Sequence, residues 1–147
     1  MALLYELRRL TPTDRHLLFR ATLMLAATRL ALTCLPFRSV RRLLRPSPPP
    51  TLRSPGALSW PVDRISWAVQ AASRRVLGDK PCLAQALVAH RLLVGSEHPS
   101  ELKIGVTKDD NGNLTAHAWV ECRSKVVVGA GTLSRFTPLE TASGRPA

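Results

Sequence analysis

At 147 residues the chain is sized for one domain, and 45% hydrophobic with 21% charged residues is the composition of a folded protein, not a disordered one. The formal net charge of +11 is unevenly placed: residues 1–56 carry ten Lys/Arg against Glu6 and Asp14, a net of +8, which leaves +3 for residues 57–147. Such a balance suits nucleic acid, an anionic membrane surface or an acidic protein, but the aromatic residues are too few and scattered for base stacking, and no nucleic-acid motif occurs.

Cys34, Cys82 and Cys122 are an odd number at spacings that fit no zinc or haem motif. They argue against a disulfide scaffold and for a reducing compartment, so the chain is expected in the cytoplasm, with no metal and no cofactor. The opening MALLYELRRL puts charges where a secretory signal needs an apolar run. The most apolar stretch, Leu17 to Phe37, is interrupted by Arg20 and Arg29. A charge near mid-bilayer costs roughly 2.5–3.5 kcal/mol, so the stretch is not read as a membrane span.

Thr11, Pro12 and Asp14 form a helix start, with a capping hydroxyl, a proline at the first helical position and an early acid. A long apolar-rich helix is expected to run to about Cys34, broken by Pro36 and followed by a short basic helix over Phe37 to Arg45. Five prolines between Pro46 and Gly56 make a semi-rigid linker. The division expected is an N-terminal helical segment (1–45), a linker (46–57), a main domain (58–140) and a disordered tail (141–147).

After the linker, Pro61 begins a second helix with Ile65, Ala68, Val69 and Ala72 on one face, ending near Leu77-Gly78. A third helix is predicted from Cys82 to Val94, with Leu83, Leu87, Val88 and Leu92 apolar and Gly95 closing it. Then the period changes. Leu102, Ile104 and Val106 alternate, and 109–113 form a turn. Leu114 to Glu121 make a second strand, Arg123-Ser124 a short turn, and Val126 to Val128 a third strand. Phe136 to Leu139 add an edge. Helices followed by an antiparallel meander make an α+β fold.

Two residues stand out chemically. Cys82 opens a helix, where unsatisfied N–H groups and the positive dipole end favour a thiolate, and Lys80 acts in the same sense. A thiolate there is a nucleophile, although an isolated cysteine is more often a small buried hydrophobe. His117 lies mid-strand in Ala116-His117-Ala118-Trp119-Val120-Glu121. Alone it would be a satisfied core histidine; with Cys82 it becomes a candidate general base. His16 and His90 fall within helices and His98 in a loop, which suits catalysis less.

The same residues carry a resemblance. Ile65-Ser66-Trp67-Ala68-Val69, Cys82 to Leu87, Leu102 to Val106, Ala116 to Glu121 and Arg135-Phe136-Thr137-Pro138-Leu139, in that order, resemble the transglutaminase-like leader peptidase of lasso-peptide biosynthesis. Arg29 to Leu32 running into Leu35-Pro36-Phe37 resembles the helical N-terminus of its stand-alone form. The resemblance implies a papain-like, transglutaminase-like core behind an N-terminal helical segment, with Cys82 as nucleophile and His117 as base and then acid. It implies a cytoplasmic maturation protease that cuts the leader from a ribosomal precursor peptide. Its implied partners are that precursor, a separate leader-binding protein and an asparagine synthetase-like cyclase; no nucleic acid and no cofactor are implied.

The family's triad ends in an acid about a dozen residues after the histidine, on the returning strand. With the turn centred on Arg123-Ser124, His117 is expected to face Ala130, within Val128-Gly129-Ala130-Gly131, where there is no carboxylate. Glu121 shares the face of His117, but four residues along a strand is about 13 Å, too far to orient the ring. A backbone carbonyl, Thr132 or a distant acid is left to hold the imidazole. Three readings therefore compete: a Cys–His dyad peptidase, a catalytically weakened scaffold that holds the precursor for partner enzymes, and a basic nucleic-acid or membrane-surface binder.

Overall fold

The computed structural model describes residues 10–36, 38–39, 59–76, 82–108, 111–131 and 136–143. The elements in chain order are α1 (Pro12–Cys34), α2 (Val62–Val76), α3 (Cys82–Gly95), β1 (Ser100–Lys108), β2 (Leu114–Cys122), β3 (Lys125–Val128) and β4 (Thr137–Ser143). Among the described residues the fold is α+β, with these three helices on a four-stranded antiparallel sheet of order β3-β2-β1-β4.

At the start of α1, the Thr11 side chain accepts from the Asp14 N–H, and its hydroxyl donates to Asp14 Oδ2 at 2.8 Å. Each otherwise unsatisfied group thus finds a partner. Asp14 is buried, and its Oδ2 pairs with Arg64 Nη2 at 3.2 Å, which ties α1 to α2. Arg29 Nη1 donates to the Val76 carbonyl at 3.1 Å, so α1 also closes the C-terminal end of α2. By length and composition α1 is the one described helix able to cross a membrane, yet one of its faces is packed inside the protein.

The predicted face of α2, Ile65, Ala68, Val69 and Ala72, is buried. Helix α3 is apolar nearly all round because it has neighbours on every side, with α1 and α2 over it and the sheet beneath. Its Ala84, Ala86 and Ala89 allow close approach, while Leu87, Val88, Leu92 and Leu93 fill the space. Leu17, Ala21 and Leu25 of α1 belong to this same core, so the first helix shares the core of the main domain. The short basic helix expected over Phe37 to Arg45 and the Pro46 to Gly56 linker lie outside the described residues, apart from Arg38 and Ser39.

Strand β1 pairs with β2 from Ser100↔Cys122 to Lys108↔Leu114. Arg123 and Ser124 both adopt positive φ (52° and 63°), the conformation a two-residue hairpin needs for the strand twist, although neither is glycine. β4 pairs antiparallel with β1 on the edge of the sheet far from β3. β4 reaches Ser143, so the tail predicted from residue 141 begins as strand. On β2, Ala118, Val120 and Cys122 are buried, the first two in the helical core. Period-two alternation turns His117, Trp119 and Glu121 to the opposite face.

Candidate active site

Cys82 is the first residue of α3, half-buried, with its thiol free. One turn further on, Gln85 Nε2 donates to Ser73 Oγ, fixing the start of α3 against α2. The other two thiols are also free, Cys34 exposed on α1 and Cys122 buried on β2.

His117 is half-buried, and its Nε2 lies 2.8 Å from the carbonyl oxygen of Gly129. A carbonyl only accepts, so Nε2 carries the hydrogen and Nδ1 holds the lone pair available to take a proton. The ring stacks on Trp119 (centroids 6.3 Å, 20° between planes) and is tilted against Phe136 (5.2 Å, 34°). Gly105, paired with His117 across the ladder, makes room for these rings: a Cβ there would lie 3.0 Å from both Phe136 Cβ and Trp119 Cζ3.

Trp119 is itself held. Its Nε1 donates to Glu121 Oε1 at 3.0 Å, and Lys103 Nζ donates to Glu121 Oε2 at 2.7 Å. The Lys103 hydrogen bond, and then that of Trp119, lower the Glu121 carboxyl below its ordinary range. Glu121 therefore does not touch His117, as the strand spacing indicated; it fixes the ring on which His117 stacks.

The missing acid has a structural counterpart. A register shift between Val120 and Glu121 advances the β2–β3 pairing by one residue, so its continuation sets Gly131, not Ala130, opposite His117. Gly129 has φ +82°, and a Cβ there would lie 2.7 Å from the Ala118 carbonyl oxygen and 2.9 Å from Trp119. Glycine alone fits that place, and its carbonyl points at the imidazole. Of the three holders left open by the sequence, the backbone carbonyl is the one observed; Thr132 lies outside the described residues.

Cys82 and His117 stand on elements that pack together. The short connection from Gly95 to Ser100 turns α3 back along the sheet, and His90 Nδ1 meets Ser100 Oγ at 3.0 Å, level with Cys122 across the ladder. Eight residues back along α3 is about 12 Å. Four residues back along β2 is about 13 Å, so Cys82 is about level with Ala118, on the helical side of the sheet, whereas the neighbouring His117 faces the other side. Among the described residues no hydrogen bond joins the thiol to the imidazole, whose partner is Gly129. Nor do the described residues contain a cluster of three His, Cys, Asp or Glu side chains able to hold a metal ion.

No curated protein and no solved structure matches the chain. The family model described as transglutaminase-like superfamily matches residues 21–141, from within α1 through the strands to β4, and the chain therefore belongs to the transglutaminase-like superfamily.

Proposed function

We propose that the protein is a cysteine peptidase that removes the leader from a lasso-peptide precursor during maturation. The observation that carries the reading is the position of Cys82: first residue of α3, in a transglutaminase-like domain, on a helix that packs against the strand bearing His117. Cysteine peptidases and transglutaminases are common in this superfamily. The order of sequence motifs described above points within it to the leader peptidases, and with them to a precursor, a leader-binding protein and a cyclase as partners in the cytoplasm.

In this mechanism Nδ1 of His117 takes the Sγ proton and Sγ attacks the scissile carbonyl. Backbone N–H groups at the start of α3 face the developing oxyanion. The imidazolium then gives its proton to the departing amine, leaving a thioester. His117 next deprotonates a water, which attacks the thioester carbonyl, and the thiol is restored as the leader acid leaves. The thiol and the imidazole, which shares its face with Trp119, have to draw together in the substrate complex for this proton transfer. Catalytic hydrogen bonds commonly tighten only in the substrate complex.

The experiment is cleavage of the precursor, with its leader-binding protein, followed by mass spectrometry. A leader fragment that forms with the wild-type chain and not with Cys82→Ala supports the peptidase. Absence of any fragment, with the precursor still bound, replaces this reading by the scaffold.

A further inference from the structure

Helix α3 opens with one amide among hydrocarbons. From Leu83 to Ala89 every side chain but that of Gln85 is Ala, Leu or Val. Gln85 follows Cys82 by three residues, so the two side chains are neighbours on the helix surface. Helical side chains lean toward the N-terminus, which carries the Gln85 amide back alongside the thiol. Its Nε2 donates to Ser73 Oγ, and Ser73 is the one polar residue among those that α2 buries. A glutamine has two N–H donors and a carbonyl oxygen with two lone pairs. Ser73 takes one donor. Among the described residues nothing bonds the second N–H or Oε1, and Gln85, like Cys82, is half-buried.

We infer that Gln85 holds the main chain of the precursor peptide beside the bond to be cut. Its Oε1 accepts from a main-chain N–H, and its second Nε2 hydrogen goes to a main-chain carbonyl. The inference rests on the peptidase reading and names a substrate-binding residue for it. Packing alone does not account for an amide here, because Met or Leu would fill the same space without withdrawing a polar group from water. A bond between helices needs one donor and accounts for one. The remaining donor and acceptor match what each residue of an extended peptide offers, a C=O and an N–H. A carboxylate or phosphate would use only the donor, and a cation only the acceptor. Ser73 fixes the amide in the free protein, so little side-chain freedom is lost when the peptide arrives. Contacts of this kind hold the backbone and leave the choice of sequence to side-chain pockets.

The test measures fluorescence anisotropy of the labelled precursor, with its leader-binding protein, on full-length Cys82→Ala, so that nothing is cut. Gln85→Met in that background keeps the length and packing but neither hydrogen bond, and is expected to bind about tenfold or more weakly. Gln85→Glu keeps an acceptor, to which Ser73 can still donate, and is expected to fall between. Ser73→Ala breaks the bond between the helices and leaves the amide, so its loss of binding is expected to be smaller than that of Gln85→Met. With Cys82 intact, Gln85→Met is expected to raise KM for cleavage by the same factor while changing kcat less. Iodoacetamide labelling of Cys82 in the free variant is expected to be unchanged. Undiminished binding by Gln85→Met, or a loss that Ser73→Ala reproduces in full, overturns the inference and assigns the amide to helix packing. So does failure of the precursor to bind Cys82→Ala at all. A wild-type chain that binds the precursor without cutting it overturns the peptidase reading instead, and the binding comparison still decides the role of Gln85.

Discussion

The imidazole of His117 is held by the backbone of Gly129, whose carbonyl oxygen accepts from Nε2 at 2.8 Å. A neutral carbonyl fixes the tautomer as a carboxylate does, but supplies less stabilisation when the ring becomes charged; hydrogen bonds to charged groups contribute about 1.5–3 kcal/mol against about 1 for neutral ones. The place where a carboxylate would fit is Gly131, where a Cβ would lie 3.9 Å from Nε2, with His117 the one contact among the described residues. Gly131→Asp is therefore expected to raise the rate of precursor cleavage on the order of tenfold, with Gly131→Asn giving a smaller gain. Gly129→Ala should do the reverse, because its Cβ meets the Ala118 carbonyl and its φ is +82°; a loss of about 1–3 kcal/mol in urea denaturation is expected. An unchanged rate in Gly131→Asp would show that orientation of His117 does not limit turnover.

The aromatic support of His117 should be separable from its hydrogen bond. Glu121 accepts from Trp119 Nε1 and from Lys103 Nζ, and Trp119 is buried against the imidazole. Glu121→Leu removes both acceptors and leaves a buried indole N–H unpaired, at a cost of about 1–3 kcal/mol. Glu121→Gln keeps an acceptor for Trp119 and should retain most of that stability while losing the ion pair. If the stack positions His117, Glu121→Leu lowers kcat more than it raises KM, and Glu121→Gln restores much of it. A change in stability with unaltered kinetics would assign the cluster to folding alone.

How far the sequence could carry these details depends on what sets them. The start of α3 at Cys82 and the buried face of α2 follow from helical periodicity and flanking breakers, and both were legible. The hairpin at Arg123-Ser124 followed from the two flanking strands, although both turn residues take the positive φ usually left to Asn-Gly. The residue opposite His117 was displaced by one, because the register shifts between Val120 and Glu121, a bulge that strand alternation does not announce. Nor could the exposure of Leu23 and Leu30 be read: a helix with leucines all round does not disclose which of them the core will take.

Thiol reactivity should report the state of the dyad. Cys34 is exposed, Cys82 half-buried and Cys122 buried. Under brief iodoacetamide treatment with peptide mapping, Cys34 and Cys82 are expected to be modified and Cys122 to react only after unfolding. No hydrogen bond joins Cys82 to His117 among the described residues, so His117→Ala should leave Cys82 alkylation in the free protein unchanged. With the precursor and leader-binding protein present, wild-type Cys82 should react faster and the His117→Ala variant should not. Equal acceleration in both proteins would mean that precursor binding opens access to the thiol without engaging the base.

Acid stability offers a last check, on the packing that aligns α3 with the sheet. His90 is buried, its Nδ1 meets Ser100 Oγ at 3.0 Å, and burial lowers its pKa from 6.5 to about 4. The unfolded chain therefore binds a proton between pH 6.5 and 4 that the folded chain refuses, and stability falls as pH falls through that window. At about 1.4 kcal/mol per pH unit the loss approaches 3 kcal/mol by pH 4. Below 4.5 the depressed Glu121 adds a second loss in the same direction, since its contribution is present above its ordinary value and disappears as it protonates. Urea denaturation at intervals from pH 7 to 4 measures the slope. His90→Leu leaves Ser100 Oγ without that partner and should start lower, but its stability should be nearly flat between pH 6.5 and 5. A slope that persists in His90→Leu would trace the acid sensitivity to the carboxylates and leave the His90–Ser100 contact as packing only.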